Sequence, residues 1–345
     1  MFPQCSNSTN GATPQRPLVS RIPRFALKSA VRNLLLGRTP PVASLEWGSH
    51  RDEHQLKDYI RYEREFGQAE SLSIADPVTA RVRTHSISAP VLYLLDSVVF
   101  KPSSGILYAN RLPIKESIPW NFSVPLFPGP KETGMERRDG ATATAINLQR
   151  NHYHFLLEDL PRLIFLKREA GLTRVYTAAS QISHFALEAL SRLNIEVVPV
   201  AKNLFFRRLL FVGLLGLSGV PSTYGIDLVR TALQSPVPQG KRRTYVSRQA
   251  SKRQFFDESA VEKHLQSRGF DIVYTEKMSL DEQIATLATS TITVGPHGAG
   301  LANSIFMPKA SRLIEIMSST WANPLYEITS KGRLRYSRVL LRPED

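Results

Sequence analysis

Cysteine is almost missing from the 345 residues, since Cys5 is the only one. A lone cysteine excludes an internal disulfide framework and a metal site built from several cysteines, and it is typical of a reducing compartment. Apolar runs of about 18 residues, which a membrane-spanning helix needs, are also missing. The nearest candidate, 209–220, contains three glycines and predicts a buried strand followed by a turn. Residues 1–16 are polar and lack the apolar core of a secretory signal, so we expect a cytoplasmic protein.

Acidic residues are missing from 1–45, whereas the whole chain carries 44 Lys and Arg against 30 Asp and Glu, a net charge of +14. This balance favours anionic partners: nucleic acid, an acidic membrane surface or phosphorylated substrates. In this leader the apolar residues fall on one helical face, opposite Lys28 and Arg32: Ala26, Leu27, Ala30, Val31, Leu34 and Leu35. The pattern predicts a basic amphipathic helix that lies either on the inner face of a membrane or on the protein's own core.

Two functional classes lack their sequence signals. The basic runs are poor in aromatic residues and contain no nucleic-acid motif, so we expect no nucleic acid as a partner. A dinucleotide-dependent oxidoreductase needs G-x-G-x-x-G after its first strand, with an acid about 20 residues later, and neither feature is present.

The length predicts two domains, each able to bury its own core. A charged, helix-prone stretch occupies 46–70, and apolar strands alternate with helical patterns beyond it. Strands at 174–177, 195–200 and 208–212 indicate a mainly parallel sheet, and a second alternation over 244–316 is typical of a Rossmann-like domain. The predicted division has four segments: a partly disordered leader over 1–70, an α/β domain over 71–233, a Rossmann-like domain over 234–322, and a C-terminal segment over 323–345 that returns to the first domain.

Residues 294–303, here called the glycine segment, come at the end of a β-branched strand and lead into a helical pattern. The glycines of this segment are Gly295, Gly298 and Gly300. Such glycines let backbone N–H groups approach an anion closely, and the N-terminus of the helix adds a favourable dipole. His297 is suited to donate to a phosphate oxygen, and Asn303 either holds the loop or faces a ligand. The segment matches neither G-x-G-x-x-G nor a P-loop, and a tight turn with a capping histidine is the alternative.

A second candidate site lies in the helical pattern that begins near Asn151. His154 and Glu158 are i, i+4 neighbours, and a carboxylate beside an imidazole is typical of a general base. Asp159 and Arg162, three apart, form a surface pair in the simplest interpretation. Metal binding by the histidines is disfavoured, because neither H-E-x-x-H nor a carboxylate cluster accompanies them.

A basic run over 242–253 contains Arg248 at the end of a strand, on the sheet edge where the glycine segment is expected. Arg248 and Arg253 suit a diphosphate, because each guanidinium can bind two oxygens at once. Arg242 and Arg243 precede the strand, and we expect them to be solvated.

These three segments, in this order, resemble glycosyltransferase family 61. The matching residues are Asn151-His152-Tyr153-His154 with Leu160-Pro161-Arg162, Tyr245-Val246-Ser247-Arg248 with Arg253 and Asp257-Glu258, and the run from Gly295 to Asn303 with Glu315. The resemblance covers about half of the chain. It departs mildly at Asp257, where the family usually has Asn.

The resemblance implies an α/β fold of the GT-B type, two Rossmann-like domains facing a cleft, and inverting transfer from a nucleotide sugar, most often a UDP-sugar, to a glycan or lipid-linked glycan. It implies catalytic roles for His154, Glu158 and Asp159, and an acceptor side formed by Asn151, His152 and Arg162. Donor binding falls to Arg248, Arg253, Gly295, His297, Gly298, Ala299, Gly300, Asn303 and Glu315. No cofactor or divalent metal is required, since two arginines and a helix terminus supply positive charge. A catalytically inactive protein of the same fold stays an alternative.

Overall fold

The computed structural model describes residues 60–66, 68–75, 82–118, 129–233, 240–249, 257–318 and 325–341. The predicted amphipathic helix of the leader and the predicted donor-binding Arg253 lie outside these ranges. Within them, no helix combines the length and the apolar character needed to cross a membrane.

The chain alternates strands and helices from residue 143 onward. The described strands are β1 (Ile60–Glu65), β2 (Glu70–Ala75), β3 (Val82–Ile87), β4 (Val91–Lys101), β5 (Ile106–Ala109), β6 (Leu112–Pro113), β7 (Glu136–Gly140), β8 (Ala143–Ala145), β9 (Arg174–Ala178), β10 (Glu196–Val200), β11 (Leu204–Phe211), β12 (Arg242–Val246), β13 (Asp271–Val273), β14 (Ser290–Pro296), β15 (Arg312–Ser318) and β16 (Arg335–Leu341). The α-helices are α1 (His152–His154), α2 (Leu160–Ala170), α3 (His184–Arg192), α4 (Thr223–Leu233), α5 (Glu258–Ser267), α6 (Leu280–Ala288) and α7 (Leu325–Ser330). One π-helical turn, Phe155–Asp159, joins α1 to α2, and a 3₁₀-helix spans Ala299–Phe306.

A mixed sheet and a β2–β3 hairpin form the N-terminal part. The sheet runs β6-β5-β4-β11-β7, and β1 also pairs with β4. Two predictions are wrong here. Residues 60–65 are a strand rather than a helix, because they pair with the buried strand β4. The strand predicted at 208–212 belongs to β11, which pairs with β4 in antiparallel orientation. It therefore lies in the mixed sheet and not in one parallel sheet with the strands at 174–178 and 196–200.

A small parallel sheet packs against the mixed one. Its order is β10-β9-β8, and α3 connects β9 to β10. Tyr176 of β9 meets Phe206 of β11 with ring centroids 5.0 Å apart, so the two sheets share a buried layer.

The C-terminal part is a parallel sheet of five strands in the order β13-β12-β14-β15-β16. A mixed α/β fold with parallel sheets, as the strand–helix alternation predicts, is confirmed. If these five strands are numbered 1 to 5 along the chain, their order in the sheet is 2-1-3-4-5. This is a doubly wound arrangement, and its ligands bind outside the carboxyl ends of strands 1 and 3. Those strands are β12 and β14. The segment from 323, expected to return to the first domain, supplies the edge strand β16, and Ile328 of α7 packs on Leu72 of β2.

One buried cluster joins the helix that contains His154 to the five-stranded sheet. It runs without interruption from Phe155 and Leu160 to Leu301 and Phe306, each at most 1% exposed. Burial of this much aliphatic and aromatic surface fixes the helix against the glycine segment. The helix predicted after the glycines is present as a 3₁₀-helix, Ala299–Phe306.

Candidate active site

The helical segment begins at Asn151, whose side chain caps it by accepting a hydrogen bond from the backbone N–H of Tyr153 at 2.9 Å. Capping of this kind satisfies an N–H that has no partner inside the helix. The predicted acceptor-side residue Asn151 therefore has a structural function in setting where the helix starts.

His154 and Glu158 form the contact that their spacing predicts. His154 Nδ1 lies 2.8 Å from Glu158 Oε1, and the side chains are 12% and 4% exposed. The same oxygen accepts from the backbone N–H of Gly219 at 2.8 Å. A carboxylate only accepts, so Nδ1 donates and Nε2 carries the lone pair of the neutral ring. This is the arrangement of an oriented general base.

The Gly219 contact was missed by sequence reasoning, because the loop after β11 reads as a plain turn. Glu158 itself lies in the π-helical turn. Such turns interrupt the regular α-helical hydrogen-bond ladder and are frequent at functional sites.

Asp159 and Arg162 are buried, at 3% and 7% exposure, so the interpretation as a surface pair is wrong. Their closest charged atoms are 3.9 Å apart. Asp159 Oδ2 accepts from the backbone N–H of Gln149 at 2.6 Å, and the Arg162 guanidinium donates to the carbonyl of Val212 at 2.9 and 3.1 Å. Burial raises the pKa of Asp159 to about 7, although Arg162 opposes the shift. Both residues brace the helix against neighbouring backbone.

His152 connects the helix to the glycine segment. Its Nε2 lies 3.1 Å from Asn303 Oδ1, and Asn303 Nδ2 donates to Gln283 Oε1 at 2.6 Å. Since Oδ1 must then accept, His152 Nε2 is the protonated nitrogen. Burial lowers the pKa of His152, which keeps the ring neutral at pH 7. Asn303, with 0% exposure, lies inside this interface rather than on an open surface.

The glycine segment needs glycine for close approach. A Cβ built on Gly298 would lie 2.7 Å from Arg248 Cζ, and one on Gly300 would lie 2.7 Å from Thr275 Oγ1. Gly298 has an extended backbone (φ 171°), so contact and not backbone strain favours glycine there. The chain therefore folds tightly around the arginine side chain.

Arg248 leaves the carboxyl end of β12 and lies against the loop that leaves the neighbouring strand β14. Its guanidinium donates to the carbonyl of His297. Its backbone N–H donates to Glu258 Oε1 at 2.6 Å, and the same oxygen accepts from the Tyr245 hydroxyl at 3.0 Å. Glu258, 5% exposed, thus anchors the turn that carries Arg248. The predicted proximity of Arg248 to the glycine segment corresponds to a direct contact.

Buried and partly buried residues hold His297 and the loop next to it. Its Nδ1 bonds to Glu315, which is 0% exposed, and the Tyr336 hydroxyl donates to the other Glu315 oxygen at 2.7 Å. The Tyr326 hydroxyl donates to the carbonyl of Gly298. Sequence reasoning missed both tyrosines, since residues beyond 322 were assigned to a separate segment. The β-branched and aliphatic end of the run 335–341 is the signal that would have indicated another strand.

Two tyrosine rings bring both halves of the site together. Tyr153, next to His154, meets Tyr326 edge to face at 5.6 Å and 89°. Burial raises the pKa of Tyr153, and the carboxylates of Glu158 and Glu315 raise it further. The His154–Glu158 pair and the glycine segment therefore lie on either side of the buried ring pair formed by Tyr153 and Tyr326.

Residues 152–314 match the model of a family described as Glycosyltransferase 61. The match covers slightly less than half of the chain. It includes His154, Glu158, Arg248 and the glycine segment, and it ends immediately before Glu315.

A curated relative is the EGF domain-specific O-linked N-acetylglucosamine transferase of Drosophila melanogaster, 29% identical over 129 residues, which are 34% of this chain and 25% of that protein. The chain thus matches about a quarter of the relative's length. Solved structures of the heptosyltransferase TibC are also similar. One, in complex with ADP-D-beta-D-heptose, shares 12% identity and a TM-score of 0.31 over 80% of this chain and 79% of that chain. Another, from enterotoxigenic E. coli H10407, has 11% identity and a TM-score of 0.28 over 74% of each chain.

Proposed function

We propose that the chain is an inverting glycosyltransferase that transfers a sugar from a nucleotide-sugar donor to a hydroxyl of a glycan or glycolipid. The proposal rests mainly on one observation: Arg248 contacts the glycine segment at the carboxyl ends of β12 and β14. The His154–Glu158 pair lies beside this contact. The match of residues 152–314 to the model of glycosyltransferase family 61 supports the reaction class.

In the proposed reaction the donor diphosphate binds at the glycine segment. The first backbone N–H groups of the helix after Gly298 have no partner inside it, and they carry partial positive charge. Arg248 adds a full positive charge from the adjoining strand. Together they stabilise the negative charge that develops on the diphosphate as its bond to the sugar breaks.

The acceptor hydroxyl is activated by the His154–Glu158 pair. His154 Nε2 takes the hydroxyl proton while Glu158 stabilises the imidazolium through Nδ1. The acceptor oxygen then forms a bond to the anomeric carbon on the face opposite the diphosphate, and the bond from that carbon to the diphosphate oxygen breaks. One base and one leaving-group site are sufficient for inversion, because no covalent enzyme intermediate is formed.

The donor half is tested by calorimetric titration of the protein with UDP, GDP and CMP. We expect UDP to bind, and Arg248→Ala to weaken that binding. Folded protein that binds none of the three contradicts the proposal.

The acceptor half is tested by His154→Ala. We expect loss of sugar transfer with nearly unchanged nucleotide affinity, since the proposed task of His154 is to take the acceptor proton and not to bind the diphosphate. His184→Ala is the matched control, because His184 forms the same i, i+4 pair with Glu188 at 3.2 Å on α3 but is 86% exposed. The control should keep full transfer. If His154→Ala loses nucleotide affinity as well, the residue is structural; nucleotide binding by a wild type that transfers no sugar indicates an inactive binding module.

We also propose a cell-surface polysaccharide or lipid-linked glycan as the acceptor. The acid-free N-terminal 45 residues support this part, because their charge suits the anionic surface where lipid-linked acceptors reside. Co-sedimentation with vesicles of zwitterionic lipid, with and without anionic lipid, tests it. Equal binding to both kinds of vesicle contradicts the membrane contact.

A further inference from the structure

Two tyrosines from beyond the family match support the loop expected to hold the diphosphate: Tyr326 of α7, which is buried, and Tyr336 of β16, which is partly buried. Tyr326 reaches the carbonyl of Gly298 directly. Tyr336 reaches His297 through one intermediary, since its hydroxyl donates to Glu315 Oε2 and Glu315 Oε1 accepts from His297 Nδ1. The loop is thus held at a backbone carbonyl and at a side chain by residues 28 and 39 positions later in the chain.

The bond from Tyr326 helps to fix the direction of a backbone donor, together with the bond that the Leu301 N–H donates to the same carbonyl at 3.1 Å. In a planar trans peptide the C=O and N–H point in opposite directions, so fixing the Gly298 carbonyl also fixes the N–H of Ala299. Ala299 is the first residue of the 3₁₀-helix, and an N–H at that position has no partner within the helix. Tyr326 therefore aims one of the donors that an anion at this loop would use.

The bonds through Glu315 determine how the imidazole of His297 is oriented. Glu315 accepts from both neighbours, so its carboxylate can hold the ring only in the orientation that directs Nδ1 towards it. Tyr336 completes the coordination of that carboxylate, which is wholly buried. Loss of the Tyr336 hydroxyl leaves one carboxylate oxygen without this donor and loosens the ring.

Tyr326 also contacts the acceptor half. Its ring centroid is 5.6 Å from Tyr153 and 5.7 Å from His297. The ring lies between the residue before His154 and the loop that faces it across the site. Loss of the Tyr326 ring would therefore affect both halves of the site, whereas loss of its hydroxyl alone keeps the ring contact with Tyr153.

We propose that Tyr326 and Tyr336 are positioning residues for donor binding: Tyr326 sets the direction of the loop N–H groups, and Tyr336 sets His297 through Glu315. This inference rests on the proposed diphosphate site. It extends the functional unit beyond residue 314, because the matched region alone lacks both hydroxyl groups.

The test uses Tyr326→Phe and Tyr336→Phe in the full chain, which remove each hydroxyl but keep the ring. Tyr176→Phe is the control, since Tyr176 is also a buried tyrosine, at 5% exposure, and lies between the two N-terminal sheets. Calorimetric titration with UDP gives affinity, thermal unfolding gives stability, and steady-state transfer gives the KM for donor and acceptor separately. Hydrogen exchange at Ala299 and Gly300 reports the loop without nucleotide.

We expect each site variant to bind UDP about 2- to 12-fold more weakly, the effect of one hydrogen bond. The donor KM should rise while the acceptor KM stays near its wild-type value, and loop exchange should quicken in Tyr326→Phe. The control should change none of these. A purely structural role predicts lower stability with unchanged UDP affinity, and that result overturns the inference. Should Tyr326→Phe not fold, Tyr336→Phe decides the question. If wild-type protein does not bind UDP, the proposed function is refuted rather than this inference. In that case hydrogen exchange still tests the inference, because unchanged loop exchange in Tyr326→Phe refutes the positioning by tyrosine.

Discussion

Gly298→Ala isolates the contact between the glycine segment and Arg248. The added Cβ would lie 2.7 Å from Arg248 Cζ and Nε and 2.8 Å from Cδ. These atoms belong to the outer part of a flexible side chain, so the guanidinium can rotate away. The extended backbone at Gly298, with φ 171°, accepts alanine without strain. We therefore expect the variant to fold and to displace Arg248 from the loop.

The magnitude follows from what Arg248 would contribute to an anion. A hydrogen bond that involves a charged group contributes about 1.5–3 kcal/mol, which corresponds to a roughly 10- to 150-fold change in Kd. The stability change is smaller, because replacing glycine by alanine at a compatible position stabilises a protein by about 0.4–1 kcal/mol. Gly298→Ala should thus lose UDP affinity without losing stability.

Gly300→Ala is the matched comparison. Its Cβ would lie 2.7 Å from Thr275 Oγ1 and 3.2 Å from Val246 Cγ1, and both residues are buried with β-branched side chains that cannot swing aside. We expect a loss of about 1–3 kcal/mol of unfolding free energy from overpacking. The two substitutions should therefore differ in effect: Gly298→Ala should weaken UDP binding, and Gly300→Ala should lower the free energy of unfolding.

The assay is calorimetric titration with UDP of wild type, Gly298→Ala, Arg248→Ala and the double variant, with urea unfolding of each. If Gly298→Ala acts through the arginine, it should have no further effect in the Arg248→Ala background. Independent effects of the two changes on UDP affinity would refute the reasoning. So would wild-type affinity in a folded Gly298→Ala protein.

Two further predictions concern the supporting residues. Burial raises the pKa of Asp159 to about 7, so between about pH 4 and 7 the native state holds a proton that the unfolded state has released. The stability from this protonation is complete below the unfolded pKa and is lost as pH rises through 7. Relative to Asp159→Asn, wild type should lose roughly 1 kcal/mol per pH unit between pH 5 and 7. Urea unfolding at each pH measures it, and parallel profiles would contradict it. Asn303→Ala removes the partner of both His152 and Gln283, which are 3.1 and 2.6 Å away. We expect a loss of about 1–3 kcal/mol in unfolding free energy, since buried donors or acceptors stay unsatisfied; an unchanged urea midpoint would count against the network.

Local patterns in the sequence predicted much of the C-terminal sheet. Its strands β12 to β15 and helices α5 and α6 follow the repeats of two and 3.6 residues that a half-buried strand or helix imposes on neighbouring positions. The His154–Glu158 contact was predictable for the same reason, because a spacing of four residues places both side chains on one helical face. The glycine segment was placed correctly after its strand, since parallel strands direct their carboxyl ends to one edge.

The sequence by itself determined most of the elements from residue 143 onward, the parallel C-terminal sheet and the positions of the His154–Glu158 pair and the glycine segment, because each depends on residues close together in the chain. Only the tertiary structure decided that β16 completes the sheet, that Asp159 and Arg162 are buried, and that Tyr326 and Tyr336 hold the loop. These features depend on segments that are distant in sequence, and a tyrosine in a short C-terminal run carries no local mark of the carbonyl or carboxylate it will meet. Burial of the shared core brings those partners together, so long-range packing decided how the predicted site is supported.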